Sequence, residues 1–263
     1  MKKIGFIGMG NMAQAICIGI IESGKVDAKD IYSFAPNQEK LAKNAERIGF
    51  TPCASLKELA GFADTLIMGC KPYQIESIVA EIGEELKGKA LVSIAAGWSL
   101  DKYRQILTDE TRVQYIMPNT PAMVNAGVFM FEKENTLTPE EHAEVMDIFA
   151  EMGLVTELPS NLMNIGMAIA GCGPAFIDLI IEALGDAGVK YGLQRAQSYE
   201  LASQMILGTA KLQLETGEHP GVLKDNVCSP AGTTIVGVDA LEHNAVRAAF
   251  IDAVDAVMDK SRG

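Results

Sequence analysis

Little in this sequence carries positive charge: 22 Lys and Arg stand against 34 Asp and Glu, a net charge of −12. That balance argues against a nucleic-acid partner. It also requires that any bound anion be held by local donors, against the overall field. No apolar run of 18 or more residues lacks polar breaks, so no membrane span and no membrane partner are expected. The opening Met1-Lys2-Lys3-Ile4-Gly5 reads straight into a strand and turn, which leaves no signal peptide. The five cysteines, at 17, 53, 70, 172 and 228, are scattered and lack C-x-x-C spacing. They read as reduced, buried thiols of a cytoplasmic protein. His142, His219 and His243 have no spacing that suggests a metal or a triad, so no metal is expected and His142 reads as helix surface. Internal repeats, low-complexity tracts and long charge runs are all missing.

What is present is an alternation. Short apolar strands are expected at 3–8, 31–34, 64–69, 90–95, 112–117, 127–132 and 154–157, with helical patterns between them. Ser55-Leu-Lys-Glu58 and Thr138-Pro-Glu-Glu141 read as capping boxes, and Ser99 as an N-cap. Near-continuous apolar strands with intervening helices predict an α/β fold, a Rossmann-type doubly wound parallel sheet, over residues 1–158. Pro159-Ser160 reads as the boundary. Residues 159–263 read as an all-α domain, with helices at 161–170, 174–189, 195–217, 231–242 and 244–260, broken at Gly171–Gly173, Gly192 and His219–Lys224.

Two segments carry chemistry. The first is Gly8-Met9-Gly10-Asn11-Met12-Ala13, which follows a strand and opens an amphipathic helix. It is a G-x-G-x-x-A dinucleotide fingerprint in its required context. Gly8 allows the tight turn, Gly10 lets a pyrophosphate approach the backbone, and Ala13 lets helix and strand pack closely. The second is Cys228-Ser-Pro-Ala-Gly-Thr-Thr234. Ser229 and Pro230 read as an N-cap and first helical residue. Gly232 leaves the backbone open to a small molecule. Thr233 and Thr234 place two hydroxyls and free N–H groups at a helix start, which favours an anion such as a carboxylate. For Thr233 the alternative is simple capping.

Together these segments resemble the pyrroline-5-carboxylate reductase family, which makes proline from its cyclic imine. Gly69-Cys70-Lys71-Pro72, Ser93-Ile-Ala95-Ala96-Gly97, Met117-Pro-Asn119-Thr-Pro121, Gly171-Cys-Gly-Pro-Ala175 and His219–Val227 carry the same likeness, which runs from about residue 3 to about 260. The resemblance implies reduction of 1-pyrroline-5-carboxylate by hydride transfer from NAD(P)H. It implies cofactor contacts at Ile7, Gly8, Met9, Gly10, Asn11, Met12, Ala35, Gly69, Cys70, Lys71, Pro72, Ala95, Ala96 and Asn119. Substrate contacts fall at Ser229, Gly232, Thr233 and Thr234, with Thr234 as the catalytic hydroxyl beside the imine nitrogen. The Lys71 side chain either touches the cofactor or sits at the surface while its backbone matters. Asn119 either orients the nicotinamide amide or stiffens a turn between two prolines.

Some positions depart from the family pattern. Ala231 stands where a Gly is usual, which forbids an easy positive φ. Cys172 replaces a Ser, Asn164 an acid, and Ser55-Leu56 fills a loop where an Asn is common. The rival β-hydroxyacid dehydrogenase class uses a Lys in its helical domain, and none occurs between Ser160 and Gly188. A non-catalytic dinucleotide sensor would not need Thr234. Residues 31–37, Ile-Tyr-Ser-Phe-Ala-Pro-Asn, carry no acid to bind a ribose diol, so NADPH is expected to be preferred, with NADH still used. Ser33 or Asn37 could donate to a 2′-phosphate. The helices from Met163 onward are apolar on more than one face, which predicts a homodimer through the helical domain; the family can stack dimers into a decamer.

Overall fold

The structure, a computed structural model, describes residues 3–262; Met1 and Lys2, which the reading of the chain start includes, and Gly263 lie outside the described residues. The strands β1 (Ile4–Ile7), β4 (Thr65–Met68) and β5 (Ala90–Ser93) are buried at every position. Their side chains alternate between two apolar layers. Phe6, Ile67 and Val92 join Ile16 and Ile20 of α1 (Asn11–Glu22) and Val145, Ile148 and Phe149 of α6 (Pro139–Ala150). Ile7, Leu66, Met68 and Leu91 join Leu59 of α3 (Leu56–Phe62), Val79 of α4 (Ile75–Ile82) and Tyr103 of α5 (Leu100–Tyr103). Each fully buried aliphatic or Phe side chain contributes about 1.5–3 kcal/mol, so these two layers hold the sheet in place.

The sheet runs β3-β2-β1-β4-β5-β6-β7-β8, with β2 at Ile31–Phe34, β3 at Thr51–Pro52, β6 at Arg112–Pro118, β7 at Gly127–Glu132 and β8 at Gly153–Leu158. From β3 to β6 every pairing is parallel. Two features depart from the sequence reading. β3 (Thr51–Pro52) is an exposed two-residue edge strand, too short to announce itself, with proline where no neighbour needs its N–H. β7 pairs antiparallel to β6. The connection at residues 119–126 is too short for the crossover that a parallel return needs. β8 then returns parallel to β7 after α6. Order reverses at β1, whose neighbours are β2 and β4, and that switch point fixes where a crevice opens.

Helix starts follow local chemistry. Thr138 and Glu141 form a reciprocal capping box, the Thr138 Oγ1 accepting from the Glu141 N–H at 3.2 Å and the Glu141 carboxylate from the Thr138 N–H at 3.0 Å. Ser55 accepts from the Glu58 N–H, but Glu58 reaches back to the Ala54 N–H instead, so the expected box there is only half made. Ser99 occupies its N-cap position without a side-chain bond. His142 is not helix surface: its ring stands edge-on to Phe131, and Glu157 lies 3.5 Å from Nε2.

The chain divides into two compact units, the first ending at Gly171 and the second beginning at Cys172. Residues 160–171 pack within the first, where Met163 of α7 (Met163–Gly166) meets Tyr115 and Met130. A π-helical turn, Met167–Gly171, follows. The second unit is helical: α8 (Gly173–Lys190), α9 (Arg195–Thr216), α10 (Pro220–Val227), α11 (Thr233–His243) and α12 (Val246–Arg262). α8 and α9 approach closely where Gly185 lies under Tyr199 and Gly188 under Ser198. Of the segment His219–Lys224, expected as a break between helices, Pro220–Lys224 is helical as part of α10. Proline instead takes the first helical position, and His219 caps it by accepting the Gly221 N–H on Nδ1 at 3.0 Å.

Contrary to the expectation from sequence, one helical stretch, Ser160–Lys190, is long and apolar enough by length and composition to cross a membrane. Only 6% of its most apolar window is buried within the chain. Farther on, Leu201, Leu207 and Leu214 of α9 are 57%, 59% and 74% exposed.

Candidate active site

A cleft of about 920 Å³ opens at the carboxyl ends of the parallel strands. Its floor is the turn after β1. Gly8 sits at φ +91, and a Cβ there would lie 3.0 Å from the Cys70 backbone. Glycine is therefore required both for the left-handed conformation and for the contact with the next strand's turn. Gly10 is the N-cap of α1 and has nothing within 4 Å of where a Cβ would stand. The first turn of α1 has no side-chain cap and no acid, so its N–H groups face the cleft with their positive end unopposed. Ala13 is 1% exposed, and a Cβ on Gly69 would stand 3.1 Å from it, so a bulky side chain there would part helix from strand. A pyrophosphate fits this cradle on both steric and electrostatic grounds.

Ile7, Gly8, Met9, Gly10, Asn11, Met12, Ala35, Gly69, Cys70, Lys71, Pro72, Ala95 and Ala96 all line the cleft. Lys71 is exposed, and its backbone N–H donates to Gln74 Oε1 at 3.1 Å. Burial pushes the Cys70 thiol up to about 11, so it stays protonated at neutral pH. The rim at Ala95–Gly97 is braced from below. Ser93 Oγ accepts the Ala95 N–H at 3.3 Å and the Tyr103 hydroxyl at 2.9 Å, and the Tyr115 hydroxyl accepts the Gly97 N–H at 3.3 Å. The Glu132 carboxylate, 1% exposed, accepts the Leu100 N–H at the start of α5.

Asn119 is a correction. It is 7% exposed and does not line the cleft. Its Nδ2 donates to the Ala170 carbonyl at 3.0 Å and its Oδ1 accepts the Val128 N–H at 2.9 Å. With both ends of the carboxamide engaged, its side chain braces the β6–β7 connection. Ser33 is a second correction: it is fully buried and donates to the Phe6 carbonyl at 3.1 Å, so it is closed to a 2′-phosphate.

The sequence reading missed Lys40, Asn44, Leu56, Gln74, Ser77, Ile78 and Glu81, all in the lining. A signal for the first two exists. Asn37, Lys40 and Asn44 are spaced i, i+3, i+7 and share one face of α2 (Gln38–Ile48).

The residues expected to bind substrate, Ser229, Gly232, Thr233 and Thr234, lie together on the turn between α10 and α11 and at the start of α11. Here helix α11 starts three residues later than the sequence suggests: Gly232 is the N-cap and Thr233 the first helical residue, with Ser229 and Pro230 in the preceding turn. The Gly232 N–H donates to the Ser229 carbonyl at 3.0 Å. Between them Ala231 takes φ 58, the left-handed conformation that its Cβ disfavours. The alanine therefore carries backbone strain at this turn. Gly232 is not open to solvent on its Cβ side; a side chain would collide with Ser229 Oγ. Thr233 and Thr234 are exposed, and neither hydroxyl has a partner among the described residues, so Thr233 is not the cap. No acid stands in the first turn of α11. On α10, Lys224 pairs with Asp225, and that hydrogen bond raises the lysine pKa.

A doubly wound sheet with an uncapped glycine turn at its switch point defines a dinucleotide-binding protein. Residues 3–97 match the family described as NADP oxidoreductase, coenzyme F420-dependent, and residues 160–263 match pyrroline-5-carboxylate reductase dimerisation. The chain is 42% identical to pyrroline-5-carboxylate reductase of Escherichia coli K12, over 99% of this chain and 97% of that one. It is 37% identical to the enzyme of Methanosarcina acetivorans, with 99% and 97% covered. Among solved structures, pyrroline carboxylate reductase of Plasmodium falciparum with NADP bound superposes with a TM-score of 0.89 at 33% identity, covering 98% and 96%. The pyrroline-5-carboxylate reductase of Coxiella burnetii gives 0.91 at 31%, covering 99% and 97%. The chain belongs to the pyrroline-5-carboxylate reductase family.

Proposed function

We propose that this protein reduces 1-pyrroline-5-carboxylate to L-proline with NADPH, the last step of proline biosynthesis. The observation that carries the reading is the presence in one chain of a pyrophosphate cradle at Gly8–Met12 and, in the second unit, of an uncapped, doubly hydroxylated helix start at Thr233–Thr234. When bound, the reduced nicotinamide supplies a hydride to the imine carbon. Everything else falls to the chain.

The Gly8–Met12 turn and the α1 N-terminus hold the pyrophosphate. Ala35 lies at the ribose side, and Gly69–Pro72 with Ala95–Ala96 form the rim that sets the ring. The free N–H groups of the first turn of α11, at Thr233 and Thr234, with Ser229 and Gly232 beside them, receive the substrate carboxylate. The Thr234 hydroxyl orients the imine nitrogen and passes it a proton from water. A cyclic iminium is already electrophilic, so orientation suffices and no strong general acid is needed.

The working molecule is a homodimer. The dimerisation match begins at residue 160, where the apolar stretch Ser160–Lys190 also begins, and a partner subunit covers that stretch and the exposed leucines of α9. The functional boundary accordingly falls near 158/159, and no membrane partner is required. Five free cysteines suit a reducing, cytoplasmic setting. The purified protein should oxidise NADPH, and NADH more weakly, when given pyrroline-5-carboxylate, and should ignore 3-hydroxyisobutyrate. Folded protein that turns over neither cofactor would reject the reading.

A further inference from the structure

We propose that Lys40 is the residue that selects the 2′-phosphorylated cofactor, an inference that rests on the cleft being the NADP(H) site. The cleft lining contains two cations, Lys40 and Lys71, and one carboxylate, Glu81. Lys71 follows β4, whereas Lys40 follows β2, the strand whose end meets the adenosine ribose in folds of this kind. β2 pairs with β1 in register, Ile7 opposite Phe34, and the Gly8 N–H donates to the Phe34 carbonyl at 2.8 Å. The segment Ala35–Asn37 is thereby tied beside the pyrophosphate turn.

Three observations single out Lys40 on α2. Its backbone is pinned, because its N–H donates to Asn37 Oδ1 at 2.9 Å. Its ammonium has no acidic partner among the described residues. Its neighbours are committed elsewhere: Lys43 pairs with Glu39 at 2.7 Å, and Arg47 donates to Gln14 Oε1. Lys40 is exposed at the cleft, so on a chain of net charge −12 it offers a local positive charge to an anion that enters on this side. The pyrophosphate is provided for by backbone N–H groups of α1, so the remaining anion is the 2′-phosphate. With Ser33 buried and no arginine in the lining, Lys40 is the charge available on this side, and Asn37 and Asn44 supply neutral donors beside it.

The test is calorimetric binding of adenosine 2′,5′-bisphosphate and of 5′-AMP to the full chain, wild type and Lys40→Ala, with Lys40→Arg as the conservative variant. Wild type should bind the bisphosphate more tightly than 5′-AMP. Lys40→Ala should lose that advantage, weakening the bisphosphate by about tenfold or more while 5′-AMP holds within about twofold. Lys40→Arg should restore it, and the salt dependence of bisphosphate binding should flatten in the Ala variant. Equal loss for both ligands, or no loss for either, would overturn the assignment. So would wild type that fails to prefer the bisphosphate. Because neither probe carries a nicotinamide, these results are independent of reductase turnover, whose absence would instead remove the functional reading.

Discussion

The Tyr103 hydroxyl donates to Ser93 Oγ at 2.9 Å, and the same oxygen accepts the N–H of Ala95 on the cleft rim. A fully buried tyrosine on α5 thus fixes the main chain that faces the cofactor. Burial raises its pKa well above the ordinary range, so the phenol stays protonated as a donor at all physiological pH. Tyr103→Phe should lower stability by about 0.5–1.5 kcal/mol, since Ser93 loses a buried donor. NADPH should bind up to several-fold more weakly with the rim less fixed. Thermal unfolding and cofactor titration together check this; an unchanged affinity would confine the bond to stability.

Ala231 in the left-handed region gives a second prediction. The conformation costs an alanine about 1–2 kcal/mol, while glycine at the same place loses about 0.4–1 kcal/mol through its freer unfolded chain. Ala231→Gly should therefore stabilise by up to about 1 kcal/mol and keep activity, because the turn already has the conformation that glycine prefers. Ala231→Val should destabilise. Denaturant unfolding of both variants decides; a less stable Gly variant would mean that the Cβ makes a contact worth more than the strain.

The Arg112–Glu141 pair sets a pH dependence. Arg112 Nε and Nη2 donate to the two Glu141 oxygens at 2.7 and 2.6 Å. That hydrogen bonding holds the Glu141 carboxyl below its usual pKa. A depressed carboxyl binds its proton less readily when folded than when unfolded. Its stabilisation is present above the unfolded value, about 4.3, and is lost as pH falls through the lower folded one. The stability gap between wild type and Arg112→Met should be constant at neutral pH and close progressively below about pH 4. A gap independent of pH down to 2.5 would contradict the sign.

Thr234 tests the substrate turn. Thr234→Ser should keep much of kcat/KM, while Thr234→Val should lose about 1–3 kcal/mol of transition-state stabilisation, the value of one hydrogen bond. An active Val variant would reduce the hydroxyl to a bystander.

Much of the sheet was legible because β1, β4 and β5 are buried on both faces and so read as unbroken apolar runs. β7 gave the same apolar signal, but strand direction is set by the length of the preceding connection, which the pattern of residues 127–132 does not show. The glycine turn was legible because Gly8 meets a positive φ and a close backbone approach that only glycine tolerates, while Gly10 leaves open the space beside the α1 N-terminus. Residues on helix faces were harder to read. Lys40 enters the cleft through its place on α2, while Ser33 and Asn119, chemically suited to ligands, are turned inward to partners distant in sequence. The α11 N-cap falls at Gly232, beyond the strong Ser-Pro capping signal, because Ala231 turns left-handed between them.

The central claim is hydride delivery to the imine carbon. Incubating the protein with pyrroline-5-carboxylate and NADPH carrying deuterium at both C4 positions, then analysing the product by mass spectrometry, tests it directly. The result expected is L-proline one mass unit heavier, with the label on the ring carbon that was the imine carbon, formed one for one with the cofactor consumed. Unlabelled proline, or cofactor consumed without proline, would contradict it.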